Sequence, residues 1–197
     1  FGDDKGWFYS LAREKGEKVW ETNLGTEILT EPVIWRDRVI VATAEGEVIA
    51  LKREDGSLLW RRGNRIPPFK MSIRGNSPPV IDEKGILYVG FFDGTLWALS
   101  AVNGQTRGER QFEGGGGFTD IDAPPALDTG RLYIALFDGP LLAISRENGK
   151  TVWKIDLGSG SQIAGEGGIL YVSGSRGVLH AVNKESGKVV WSSRAPG

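Results

Sequence analysis

A single histidine, His180, and the absence of cysteine narrow the chemistry open to this 197-residue chain. No thiolate can serve as nucleophile or metal ligand, and no disulfide can form. No Ser-His-Asp order, zinc-ligand spacing or acid pair at a catalytic separation stands out. His180 occupies a place that equivalent segments fill with Ile49, Trp97 and Leu142, the setting of a packed or rim imidazole rather than a ligand. Residues 114–117 are four consecutive glycines, but no Lys-Ser/Thr or helix start follows, so they read as a loop tip and not a phosphate cradle. What remains is charge. Residues 61–78, RRGNRIPPFKMSIRGNSP, carry five basic side chains and no acid. Residues 109–124, ERQFEGGGGFTDIDAP, carry four acids and one arginine. The net charge is only −1, so nothing argues for nucleic acid or an anionic membrane surface as the main partner.

The elements that position these two segments are written as a repeat. RENGKTVW ends at Trp153, KESGKVVW at Trp191, REDGSLLW at Trp60 and REKGEKVW at Trp20. Each phrase closes a longer unit with a fixed ruler: an anchor glycine, a small residue four later, a turn glycine ten later and tryptophan fourteen later. Gly46, Ala50, Gly56 and Trp60 obey it, and so do Gly139, Ala143, Gly149 and Trp153. Gly177, Ala181, Gly187, Trp191 and Gly6, Ser10, Gly16, Trp20 are two further copies. A fifth, Gly94, Ala98 and Gly104, has Gly108 where tryptophan belongs. Successive anchors lie 40, 48, 45 and 38 residues apart, the signature of a repeat architecture.

Inside each unit the runs are strand-like: RVIVATA, ILYVGFF, RLYIALF and ILYVSGS, then EVIAL, TLWAL, PLLAI and VLHAV. With a short leading strand (PVIW, PALD) and the tryptophan strand, each unit holds four antiparallel strands, A to D. Strand C is apolar on both faces, Val48 and Ala50 on one and Ile49 and Leu51 on the other, as in a sheet covered from both sides. The expected fold is therefore all-β, a β-propeller of four-stranded blades. Its boundaries are a half blade at 1–22 and blades at 31–62, 78–112, 124–156 and 162–193 of one propeller domain spanning 1–197. The turn glycine needs a positive φ in the C–D hairpin. Trp20, Trp60, Trp153 and Trp191 are expected to clasp the adjoining blade's hairpin, each burying about 150–250 Å² worth roughly 4–6 kcal/mol before entropy costs. Gly108 leaves one clasp unmade.

The rhythm breaks in two places, and loops on a rigid scaffold carry binding. From Trp60 to Pro79 is 19 residues and from Gly108 to Pro125 is 17, against 12 from Trp20 to Pro32 and 10 from Trp153 to Ile163. The two long D–A connections are consecutive, so they emerge side by side on one face. They are the segments of opposite charge.

AISRENGKTVW and AVNKESGKVVW resemble the tryptophan-docking motif of quinoprotein-type propellers. FKMSIRGNSPPV, followed by FTDIDAPPAL, is similar to the BamB family, the lipoprotein propellers of the outer-membrane β-barrel assembly machinery. That resemblance implies a non-catalytic scaffold in the periplasm, attached to the outer membrane in the full-length protein through a lipid anchor absent from this chain. It implies docking on the POTRA domains of BamA, with Met71, Ile73 and Arg74 from one loop and Asp120 and Asp122 from the next. Two other readings stay open: Arg74 pairing with Asp120 or Asp122 to brace the loops, and Met71 and Ile73 acting as loop staples.

Quinoprotein dehydrogenases share the repeat but use calcium or a lanthanide beside the quinone, and many carry adjacent cysteines. The expectation is no catalytic residue, no metal and no cofactor; a quinone-dependent dehydrogenase or a sensor or adhesin ectodomain are the alternatives. Four blades and a half do not close a ring. Either the chain is part of a longer one or it self-associates, two chains completing each other's propeller.

Overall fold

A computed structural model describes residues 1–63, 76–112, 120–137, 139–157, 162–174 and 177–194. The described residues form antiparallel sheets, as the repeat predicts. A two-stranded half blade pairs β1 (Trp7–Leu11) with β2 (Lys18–Asn23). Blade 1 follows in the order β3 (Val33–Trp35), β4 (Arg38–Ala42), β5 (Glu47–Lys52), β6 (Leu58–Gly63). Blade 2 holds β7 (Val80–Ile81), β8 (Ile86–Gly90), β9 (Thr95–Ser100) and β10 (Thr106–Gln111). Blade 3 holds β11 (Ala126–Leu127), β12 (Arg131–Ala135), β13 (Pro140–Ser145) and β14 (Thr151–Asp156). Blade 4 holds β15 (Gln162–Glu166), β16 (Ile169–Ser173), β17 (Val178–Asn183) and β18 (Val189–Arg194). The sheets stack face to face without closing a ring. Ahead of β1, Gly2 bridges to Phe8 in the register by which Gly90, the last residue of β8, pairs with Leu96.

The core lies between sheets, not within them. Val48 and Ala50 of β5 pack with Leu87, Val89, Phe91 and Trp97 of blade 2. Ile49 and Leu51, on the other face of the same strand, pack with Phe8 and Trp20 of the half blade. Leu96 of β9 joins Leu132, Ile134 and Ile144 of blade 3, and Tyr133 and Leu141 join Leu170 and Val172 of blade 4. A strand of alternating side chains thus feeds two separate cores, which is why strand C reads apolar throughout.

The outer rim is closed by indoles. Trp20 Nε1 donates to Arg53 O at 2.9 Å, Trp60 Nε1 to Ala101 O at 3.0 Å and Trp153 Nε1 to Lys184 O at 2.9 Å. Each acceptor lies three residues before the next blade's turn glycine, and the ring lies flat against that glycine. A Cβ at Gly56, Gly104 or Gly187 would fall 2.5 to 2.7 Å from the indole carbons. Those glycines also hold φ of 72°, 67° and 69°, so both the turn and the approach of the ring demand glycine. Every C–D pair shifts register beside the small residue opposite the tryptophan position, as between Ala50 and Leu51.

Between blades 2 and 3, where the tryptophan position holds Gly108, a buried ion pair and arginine hydrogen bonds cross the boundary. Arg146 forms an ion pair with Asp82 in which the two side chains are 9% and 2% exposed, and its Nη1 also donates to Asp128 O at 2.6 Å. Burial pulls the Arg146 pKa down, but hydrogen bonds with Tyr88 and Asp82 outweigh it and leave the group firmly cationic. Arg110 reaches across the same boundary to Gly149 O at 3.0 Å and Thr151 Oγ1 at 2.8 Å. Trp191, on the last sheet, is 43% exposed.

These environments set an order of stabilities. Trp153→Ala is expected to cost about 3 kcal/mol, the scale of a large aromatic truncation in a packed site. Trp191→Ala should cost roughly 1 kcal/mol or less, because the ring is already half in water. Denaturant melts of the two variants check the ranking; equal losses would remove the inter-blade role of Trp153.

Candidate functional site: the paired D–A loops of blades 1 and 2

Both long loops leave from edge strands, the first after β6 and the second after β10. Their returning ends are held against the turns between strands B and C. In the connection of ordinary length after β2, one peptide unit makes this stitch. Ile28 N donates to Asp3 O of the preceding turn at 3.1 Å, while Glu27 O accepts from Ala44 N of the following turn at 2.9 Å. The second long loop does the same. Ile121 N donates to Phe91 O at 3.1 Å, and Asp120 O accepts from Phe137 N at 2.8 Å.

In the first long loop a side chain takes over. Asn76 Nδ2 donates to Thr43 O at 2.7 Å, and Asn76 Oδ1 accepts from Phe92 N at 3.3 Å. Thr43 and Phe92 hold the places of Asp3 and Ala44 in their own units, three and two residues before the anchor glycine. The carboxamide therefore substitutes for a peptide group, which it resembles in having one acceptor and N–H donors in a plane. Asn76 is buried, and the two bonds offset the cost of taking its amide out of water.

Gly90, the last residue of β8, is where the two loops come together. Ser77 N donates to Gly90 O at 2.9 Å, and Gly90 N donates to Ser77 Oγ at 2.8 Å. On its other side Gly90 abuts Ile121, whose Cβ and Cγ2 occupy the space a side chain at position 90 would need. One loop end is thus bonded to the backbone of Gly90, and the other is packed on its Cα. The absence of a Cβ is what lets them approach.

Of the residues expected to form the site, Asp120 and Asp122 are half-buried and flank the fully buried Ile121. Ile121 is the wedge against Gly90, and Asp122 Oδ1 beside it is itself withdrawn from solvent. Met71, Ile73 and Arg74 lie outside the described residues. The basic loop begins with two arginines already engaged locally. Arg61 donates to Leu24 O at 3.0 Å and pairs with Glu47 at 3.4 Å. Arg62 donates to Thr106 Oγ1 at 3.1 Å and stacks 5.6 Å from the Trp97 ring centre. Sequence reading missed Asn76, Ser77 and Gly90. Ser77 was visible as the serine of the Arg-Gly-x-Ser segment, and Gly90 as a glycine ending a strand. Nothing in the sequence marks Asn76 as a peptide mimic.

His180 is a half-buried rim residue. Its Nδ1 lies 2.7 Å from Ser192 Oγ on the neighbouring strand. Among the described residues no group of three or more His, Cys, Asp or Glu is placed to hold a metal ion.

The stitch is testable without a partner. Asn76→Ala strands a carbonyl and an N–H that the amide had satisfied, and a loss of about 2 kcal/mol is expected. Gly90→Val must displace Ile121 and should cost roughly 1–3 kcal/mol by overpacking. Chemical denaturation of both variants is the check, and an unchanged midpoint in Asn76→Ala would discount the bridge.

Comparison with known proteins places this geometry. The family model described as outer membrane protein assembly factor BamB matches residues 1–193. A curated BamB of Shewanella oneidensis is 29% identical over 132 residues, covering 64% of this chain and 33% of that protein. A curated BamB of Vibrio cholerae is 33% identical over 96 residues, covering 49% of this chain and 24% of that protein. The crystal structure of BamB from Moraxella catarrhalis superposes with a TM-score of 0.88 at 24% identity, covering 98% of this chain and 60% of that one. The chain thus spans a third or less of the length of these curated relatives in the aligned regions. With the family model matched from its first residue to Ser193, the chain belongs to the family of outer membrane protein assembly factor BamB.

Proposed function

We propose that this chain works as a non-catalytic propeller scaffold of the outer-membrane β-barrel assembly machinery, on the periplasmic side of the outer membrane. The two D–A loops of blades 1 and 2 dock together on the POTRA domains of BamA. The observation that carries this reading is the convergence of both loop ends on Gly90. Ser77 and Ile121, at the returning ends of the basic and the acidic segment, meet at this one strand end. Preorganised loops dock with less ordering cost than free ones. In this reading Met71 and Ile73 are the apolar anchors, Arg74 is a charged hot spot, and Asp120 and Asp122 supply the opposite charge. The curated relatives carry the name of an assembly factor, not of an enzyme. A second contact fits the exposed Trp191 face, where the repeat calls for a further turn glycine, from the same protein or a second copy in self-association.

Binding of purified BamA POTRA domains tests the docking. Ile73→Ala or Arg74→Ala should weaken it tens-fold, at about 1.4 kcal/mol per decade. Asp120→Arg combined with Asp122→Arg should abolish it. A melting midpoint taken on the same protein separates lost docking from lost stability, the Asp120 stitch itself being made by a backbone carbonyl. If the loops only brace each other, the same variants lose stability and bind as the parent does. Unchanged affinity in a folded Arg74→Ala, Asp120→Arg protein overturns the assignment.

A further inference from the structure

The cleft between blades 2 and 3 is an indole slot without an indole. Gly108 pairs in register with Ala98, as Trp60 pairs with Ala50 and Trp153 with Ala143. Opposite it stands Gly149, the turn glycine of blade 3. Where a tryptophan covers them, Gly56, Gly104 and Gly187 are buried; Gly149 is exposed, and a Cβ there would meet nothing within 4 Å. The Arg146 carbonyl holds the place of Arg53, Ala101 and Lys184, the three carbonyls that accept indole N–H bonds elsewhere. Between these groups lies a cavity of about 530 Å³, floored by Leu96, Ala98, Leu132 and Ile144. That is within the range of small-ligand sites, roughly 300–1,000 Å³.

The slot is relieved of structural duty. Arg110 and the Arg146–Asp82 pair already join the two blades, and they hold their guanidinium groups at the walls. Its mouth is accessible from one direction in particular. β10 is the outer edge of its sheet, and edges accept an added strand through backbone hydrogen bonds. A glycine in an edge strand leaves a gap over which an aromatic side chain on the adjacent strand folds.

We propose that this cleft is a docking slot for an indole side chain delivered in trans by an extended partner segment paired along β10. The ring lies on Gly149 and its N–H reaches the Arg146 carbonyl, repeating the arrangement that Trp60 makes on Gly104. The slot is at the C–D turn end of the blades, opposite to the B–C turns and the long D–A loops. It is therefore free to act whether or not those loops are occupied, and it does not depend on what they bind.

A fluorescein-labelled peptide of sequence GKTVWKID, taken from β14 and its turn, is the probe, with an alanine-for-tryptophan peptide as control. Anisotropy against the full 197-residue chain should show the tryptophan peptide binding at least tenfold more tightly than the control. Gly108→Trp fills the slot from within. The backbone at Gly108 is not left-handed, and a Cβ there would meet only Ala98 Cβ, at 3.8 Å. That variant should keep or raise its denaturation midpoint and lose peptide binding at least tenfold. Amide NMR shifts on the unmodified chain read the location without any substitution, and they should centre on Ala98, Gly108 and Gly149. Equal binding of the two peptides, undiminished binding by folded Gly108→Trp, or shifts centred on another blade would each overturn the proposal.

Discussion

An indole lying flat on the next blade's turn glycine is the contact on which this architecture depends. It is a steric lock as well as an apolar one. The ring occupies the space of a Cβ, so the turn can only be glycine, and the turn's left-handed φ makes the same demand. The indole N–H then donates to a turn carbonyl of the next blade. At three boundaries one residue thereby ties a blade to its neighbour at the rim. Inter-sheet cores form at all four boundaries between described sheets, because each strand C can bury both faces only if a sheet stands on either side.

The blade 2–blade 3 boundary shows what happens without the lock. Arg146 and Asp82 are nearly withdrawn from water, and Arg110 spans the rim. A buried ion pair returns less net stability than an apolar replacement of similar volume, since both charges must be desolvated. The exchange leaves a lined, open cleft at the one rim position where the clasp would stand. Stability there rests on groups at the walls, and the middle is free for something else.

On the opposite face the same repeat holds two insertions in place. An ordinary connection is stitched by a peptide unit between successive B–C turns. Both longer loops keep the stitch at their returning ends. One uses its backbone at residues 120 and 121, the other the Asn76 amide. Insertions of this kind are tolerated because loop closure costs little per added residue and these stitching hydrogen bonds are kept.

The repeat ruler, the four-stranded blades and the two-faced apolar strand C were all legible in the sequence, because they recur at fixed spacing and obey the period of two of a strand. The opposite charges and unusual lengths of the two loops were legible too. What the chain's order could not tell was which groups meet across blades. The carbonyl that receives each indole, the amide of Asn76 standing in for a peptide, and Gly90 serving both loops are contacts between residues 13 to 41 positions apart. The missing tryptophan at Gly108 could be seen as an exception, but not as a cavity. Whether neighbouring side chains collapse into a vacated space depends on how the surrounding groups are anchored. Here Arg146 and Arg110 are tied to partners on both blades and leave the space open. Local pattern determined the elements and their order; the packing of one sheet on the next decided which of their surfaces close and which stay available.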